Sequence, residues 1–124
     1  MEVPAFVARQ FYVTGSLRNR PGGFRLEAHN PLGEGTLVGI GPFSVDGRPI
    51  AVESVSALRA GDALPLRATD VTRAAPIHVE RGDRVTLFVD GEQLAPGEHE
   101  LEVRLVELNL GALQFRVRDR LTED

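Results

Sequence analysis

The stretch Glu100-Leu101-Glu102-Val103-Arg104-Leu105 alternates charged and apolar side chains without a break. Successive side chains of a β-strand point to opposite faces, so the apolar residues lie on one face and the charged residues on the other. A strand with one buried face and one wet face is typical of an antiparallel sheet. The stretch therefore predicts a strand that covers an apolar core.

The same period-2 pattern recurs in residues 24–29, 84–89 and 113–118. Several short strands separated by turn residues are typical of sandwiches and jelly-rolls. We therefore predict an all-β fold, a two-sheet antiparallel β-sandwich with jelly-roll or immunoglobulin-like topology and about eight strands. A barrel is the alternative.

Turn residues fall between the predicted strands. Asp-Gly pairs suit tight turns because glycine accepts a positive φ, and Pro-Gly suits the centre of a type II turn. A histidine at the start of a strand commonly braces a sheet corner by bonding to backbone. The predicted structural turn residues are Asp46, Gly47, Asp90, Gly91, Pro96, Gly97 and His99.

Three segments are less regular. We predict a first strand near residues 6–17, and the best helix candidate is the segment from Ala51 to Ala60, where apolar residues recur at near-helical spacing. After Leu105 the apolar positions change parity. This change predicts a bulge near Leu105–Val106 or a strand that passes from one sheet to the other.

Composition limits the function classes. The 124 residues fit a single domain, 1–124, and the net charge of −4 with dispersed arginines argues against a nucleic-acid partner. The chain has no cysteine, which excludes disulfides and thiolate metal sites and suits the cytoplasm. The uncharged stretches are too short to span a membrane, so we predict no membrane partner.

No catalytic set is convincing. His29, His78 and His99 are far apart in the sequence and lack the close pairing of a zinc site, so we predict no metal site and no cofactor in this chain. A stand-alone lyase or isomerase would need these histidines to converge with carboxylates in one cleft.

Glu98, Glu100 and Glu102 lie on one face of a predicted strand, about 7 Å apart along it, which is near the separation of glycosidase carboxylates. A row of carboxylates on a strand is more simply its wet face. We expect it to form cross-strand ion pairs with Arg116 and Arg118.

Three stretches together resemble a known family: Gly15-Ser16-Leu17-Arg18-Asn19 with Gly23-Phe24-Arg25-Leu26, then Val45-Asp46-Gly47-Arg48-Pro49-Ile50, then the segment from Gly91 to Val103. In this order they resemble the small β subunits of bacterial C-glycoside deglycosidases. The resemblance covers about residues 10–118, and its motifs consist mostly of turn residues.

The resemblance implies an accessory, non-catalytic subunit that docks on a larger TIM-barrel subunit. The barrel would hold a divalent metal, and the pair would act as a lyase on the carbon–carbon bond of C-glycosides. The family's tyrosine- and arginine-rich loop is replaced here by residues 29–35. The alternatives are a binding module of immunoglobulin type and a chain that associates with itself.

A docking subunit should expose apolar residues that the strand parity leaves outside the core. The alternative is that the connection from Ala51 to Ala75 covers them, and that they are ordinary core. The candidate partner-interface residues are His29, Asn30, Pro31, Leu32, Phe43, Phe88, Leu108 and Leu110, with Leu113 as a further apolar candidate.

Overall fold

The computed structural model describes residues 1–122 and shows two antiparallel sheets packed as a sandwich. In chain order the strands are β1 (Arg18–Arg20), β2 (Gly23–His29), β3 (Gly35–Ile40), β4 (Phe43–Val45), β5 (Arg48–Ile50), β6 (Val55–Arg59), β7 (Leu66–Arg67), β8 (Ile77–Val79), β9 (Arg84–Asp90), β10 (Gly97–Glu107) and β11 (Gly111–Leu121). Sheet I has the order β1-β2-β9-β6-β7. Sheet II has the order β5-β4-β10-β3-β8, and β11 pairs with the other side of β10.

The predicted sandwich is confirmed, but its strand count is higher than predicted. The described residues form eleven strands, whereas the turn spacing predicted about eight. The additional strands are short; β5 and β8 have three residues each and β7 has two. A segment of this length shows too few alternations for a period to be recognised.

The core lies between the inward rows of the two sheets. Leu101 and Val103 of β10 face inward, as do Phe24 and Leu26 of β2, and all four are buried. Leu101 and Val103 pair with Val117 and Phe115 on β11. The stretch from Glu100 to Leu105 therefore forms the predicted strand, with apolar residues facing the core and charged residues facing solvent.

The first predicted strand is wrong at its beginning, because Ala5–Phe11 form the helix α1. Its inner face carries Ala8, which is buried, and Phe11, whose ring lies 5.3 Å from that of Phe115. The helix thus gains its stability by packing on β11 rather than by pairing in a sheet. No helix in residues 1–122 has the length and apolar character needed to cross a membrane.

The predicted helix between Ala51 and Ala60 is also wrong. A short 3₁₀ helix, Val52–Ser54, leads directly into β6, which pairs with β9. The β-branched Val55 suits a strand, and Val55 and Ala57 are buried on the same face with period 2. Sheet pairing therefore overrides the near-helical spacing.

The predicted irregularity near Leu105–Val106 is confirmed to within one residue. The pairing between β10 and β3 shifts its register between Val106 and Glu107, whereas the pairing with β11 runs unbroken. Leu108 and Leu110 lie in the turn after β10. The parity change in the sequence therefore marks the end of the strand as well as a bulge.

Gly23 starts β2 where it passes close to β9. A Cβ atom at this position would lie 1.9 Å from the carbonyl oxygen of Val89, which no side chain tolerates. The backbones can approach here only because residue 23 is glycine.

Candidate ligand site at the open end of the sandwich

A pocket of about 370 Å³ lies between the two sheets, at the end where β2 and β10 finish. Sheet I contributes Leu26 and Ala28, and sheet II contributes Leu105 and Leu113. Phe11 of α1 also lines the pocket. Its walls are therefore inward side chains of the core layers together with a helix that the sequence did not predict.

The pocket exists because the inward rows do not close on each other at this end. Leu105 and Leu113 are paired partners on β10 and β11, and both are only half-buried although they share the inward parity of buried residues. Two positions earlier on β10, Val103 is buried, and Leu101 is fully buried. Apolar surface that would normally complete a core is thus left accessible here.

Asn30 secures the loop at the mouth of the pocket. Its side-chain amide donates to the carbonyl oxygens of Gly33 at 2.6 Å and Glu80 at 3.1 Å. Its Oδ1 accepts a hydrogen bond from the backbone N–H of Leu32 at 3.3 Å. These bonds join residues 30–33 to the turn before β9, so the mouth is held by polar contacts.

Glu107 is the last residue of β10 and follows the inward parity of Leu105 to the mouth. Its carboxylate accepts hydrogen bonds from three backbone N–H groups, those of Thr36 at 2.9 Å, Asn109 at 2.8 Å and Leu110 at 2.9 Å. These bonds, with that of Thr36 the strongest influence, lower the pKa of Glu107. The carboxylate is therefore ionised at neutral pH.

Two further carboxylates, Glu34 and Asp83, line the same pocket. Asp83 accepts a hydrogen bond from the N–H of Glu80 at 2.8 Å. His29 also lines the pocket, with its Nδ1 3.4 Å from the carbonyl oxygen of Gln10 on α1. The mouth thus combines three acidic groups with one imidazole.

The predicted interface residues do not form one patch. His29, Asn30, Leu32 and Leu110 all line the pocket, and the two leucines are 57% and 60% exposed. Pro31 lies between Asn30 and Leu32 in the chain, and its carbonyl oxygen is 3.5 Å from the Nε of Arg81.

The remaining interface candidates lie elsewhere. Phe43 is buried in the core and is 3% exposed, so it offers no surface to a partner. Phe88 is half-buried, pairs with Arg25 and Ser56, and its ring lies 4.6 Å from the guanidinium carbon of Arg20. Leu108 is 44% exposed in the turn after β10.

His99 closes the opposite end of the sandwich, as the sequence predicts. Its Nδ1 lies 2.6 Å from Asp46 Oδ2, and its Nε2 lies 2.6 Å from the carbonyl oxygen of Ala95. Burial lowers the pKa of His99, but the bonds to Ala95 and Asp46 outweigh burial, so the pKa is raised. The ring thus joins two loops at this end.

A tight turn is present at Asp46-Gly47, whereas Asp90 is the last residue of β9 and Gly97 is the first residue of β10. Asp46 and Gly47 have φ angles of 52° and 79°, and Gly97 has a φ of 121°. Asp46 also accepts a hydrogen bond from the N–H of Glu100 at 2.8 Å, which explains why aspartate occupies this strained position.

The predicted carboxylate row forms the expected ion pairs. Glu102 pairs with Arg116 at 3.2 Å, and Glu100 pairs with Arg118 at 3.5 Å. Within residues 1–122, no three His, Cys, Asp or Glu side chains are grouped so that they could hold a metal ion.

Asp119 is an important residue that sequence reasoning missed. It is buried, and its carboxylate accepts hydrogen bonds from the Tyr12 hydroxyl and from the N–H groups of Gly15 and Leu17. Burial and then the bond to Asp119 raise the pKa of Tyr12. The sequence feature that could have identified Asp119 is its place on β11. It alternates with outward residues in the same inward-facing row as Phe115, Val117 and Leu121, where an acid is unusual.

The family comparison identifies a different family from the one that the turn residues resemble. A family model described as hydroxymethylglutaryl-CoA reductase, N-terminal domain, matches residues 7–122. A search of curated proteins finds no significant match.

The expected family, a C-glycoside deglycosidase β subunit, is therefore wrong, and so is the accessory role on such an enzyme. The family match gives no better support to the alternative prediction, a stand-alone immunoglobulin-like binding or self-associating module. The residues that carried the resemblance are mainly turn residues, which recur wherever strands need a positive φ.

Proposed function

We propose that this chain, which belongs to the family of hydroxymethylglutaryl-CoA reductase N-terminal domains, holds the apolar part of a small molecule in the open-end pocket. The observation that carries the proposal is apolar surface left open between the sheets. Its volume of about 370 Å³ falls within the range of about 300–1,000 Å³ that is usual for ligand pockets.

The composition of the pocket supports an apolar guest. Leu26, Leu105, Leu113 and Phe11 offer water no hydrogen-bond partners, so displacing water from them is favourable. Leu32 and Leu110 extend this surface to the rim. A ligand tail that covers these side chains gains burial that the folded chain does not provide itself.

The family name refers to an enzyme of hydroxymethylglutaryl-CoA, which is an anionic thioester. Three carboxylates line the pocket, so its electrostatic potential disfavours that thioester as the occupant. The proposed ligand is therefore a different molecule from the reductase substrate. The absence of cysteine supports a cytoplasmic location as part of this proposal.

A barrel-shaped partner with a divalent metal is not proposed, because that expectation rested on the overturned resemblance. A second copy of this chain remains a prediction as partner, and light scattering tests it. An interaction with nucleic acid or membrane is not proposed, in keeping with the negative charge and the dispersed arginines.

Titration with Nile red, a neutral dye that fluoresces in apolar surroundings, tests the proposal. We expect saturable binding to the unmodified chain and a loss of at least about tenfold in affinity in Ala28→Phe, whose ring would fill the pocket. The matched control is Ser56→Phe, which adds the same ring to sheet I at a half-buried position outside the pocket lining.

Circular dichroism and urea unfolding establish that both variants are folded. Binding that is absent in the unmodified chain, or equal in the two folded variants, would contradict the proposal. Hydroxymethylglutaryl-CoA serves as a competitor, and displacement of the dye by it at low concentration would show that the charge argument is wrong.

A further inference from the structure

We infer that the molecule held in the open-end pocket is an amphiphile with a cationic head group, such as a long-chain amine. The inference rests on the proposed function and adds the chemistry of the end of the ligand that faces solvent. It is drawn from the charges around the mouth.

The formally charged residues that line the pocket are all acids. Glu34, Asp83 and Glu107 line it, and no arginine is among its described lining residues, although the chain has 14 basic residues. Within residues 1–122, no ion pair neutralises any of the three carboxylates. Elsewhere on the surface, acids such as Glu27 and Glu102 are paired with arginines.

Two of these carboxylates are fixed by the backbone. The three N–H groups that bond Glu107 and the N–H group of Glu80 that bonds Asp83 hold both side chains at the mouth. A fixed carboxylate cannot swing away from an anionic head group, so an anion at the mouth is repelled. A cation there gains attraction without any rearrangement of the protein.

Glu34 is different because it is exposed and has no hydrogen bond or ion pair within the described residues. Its carboxylate is free to reach a head group at the rim. Removing its charge therefore changes the electrostatics of the mouth without disturbing the loop that Asn30 secures. Glu34→Gln is the cleanest probe of the inference.

Displacement of Nile red by decylamine, decanol and decanoate at about pH 7 separates the tail from the head group, because the three have tails of the same length. We expect decylamine to compete about tenfold better than decanol, which corresponds to about 1.4 kcal/mol, and decanoate to compete least well. The advantage of the amine should shrink at high salt, because salt screens the carboxylates.

In Glu34→Gln the advantage of decylamine over decanol should fall about twofold to threefold. Glu92→Gln, which removes an exposed carboxylate at the opposite end, should leave this advantage unchanged. Equal competition by the three compounds, or stronger competition by decanoate, would overturn the inference and leave the pocket proposal intact. If neither the dye nor any of the three binds, the proposed function itself fails.

Discussion

The inward row of β10 begins with His99 at one end of the sandwich and finishes with Glu107 at the other. Both nitrogens of His99 are bonded to acceptors on neighbouring loops, and the next inward residue, Leu101, is fully buried. Glu107 is bonded as completely by backbone N–H groups, yet the next inward residue, Leu105, lines a pocket.

The difference shows that polar contacts serve opposite purposes at the two ends. The bonds of His99 draw two loops together and cover the core, whereas those of Glu107 and Asn30 hold loops around an opening. We therefore expect global stability to depend on the closed end and binding to depend on the open end. Substitutions at matched positions can separate the two.

The largest effect is expected at Asp119, which lies opposite His99 on β11. Asp119→Ala leaves the Tyr12 hydroxyl and the N–H groups of Gly15 and Leu17 without their acceptor in a partly buried region. We expect a loss of about 3–4 kcal/mol in the free energy of unfolding, measured by urea denaturation.

The control is Asp90→Ala, which removes an exposed carboxylate at the same end and should cost less than about 0.5 kcal/mol. If the two variants were equally stable, the bonds of Asp119 would not support the fold.

The second test compares two leucine-to-alanine substitutions in the inward row of β10. Leu101→Ala should cost about 3 kcal/mol because the side chain is fully buried, and Leu105→Ala should cost about 1 kcal/mol because its side chain borders the pocket. Urea unfolding of the two variants in parallel measures the difference. Equal losses would mean that the open end is packed as tightly as the closed end.

His99→Gln should destabilise the chain less than Leu101→Ala, by about 1–2 kcal/mol, and this loss should depend on pH. The folded-state pKa of His99 is raised above its ordinary 6.5, so its contribution is complete below that value and is lost as the pH rises through the folded pKa. The pKa of Asp46 is lowered from 3.8, so its contribution is lost only as the pH falls through its folded pKa.

The stability difference between the unmodified chain and His99→Gln should therefore be larger at about pH 5.5 than at about pH 9. His78→Gln is the matched control, because His78 is exposed and its ring has a single long contact, with the Thr36 hydroxyl. A difference that does not change with pH would show that the imidazolium form is not favoured in the folded state.

The sequence was sufficient for the sandwich and for its closed end. Alternation identified the inward rows of β9, β10 and β11, and the pair Asp46-Gly47 identified a turn that needs a positive φ. These features are local, because each depends on a few consecutive residues. The brace at His99 followed from its position at the start of a strand.

The open end could not be predicted in the same way. The pocket depends on how far apart two inward rows lie and on α1, whose seven residues are held by contact with Phe115 more than one hundred positions away. Apolar residues such as Leu105 and Leu113 have the same pattern whether they meet across a core or line a cavity. Only tertiary structure separates these cases.

The tight approach at Gly23 also limits which alignments sheet I can adopt. If β2 slid by one residue along β9, the bulky ring of Phe24 would take the place that only a hydrogen atom can occupy beside Val89. Such a slip would also turn Leu26 and Ala28 outward and remove one wall of the pocket. The absence of a side chain at Gly23 therefore fixes the register of β2 on β9. Through this register it also fixes the wall of the pocket, which begins three positions away at Leu26.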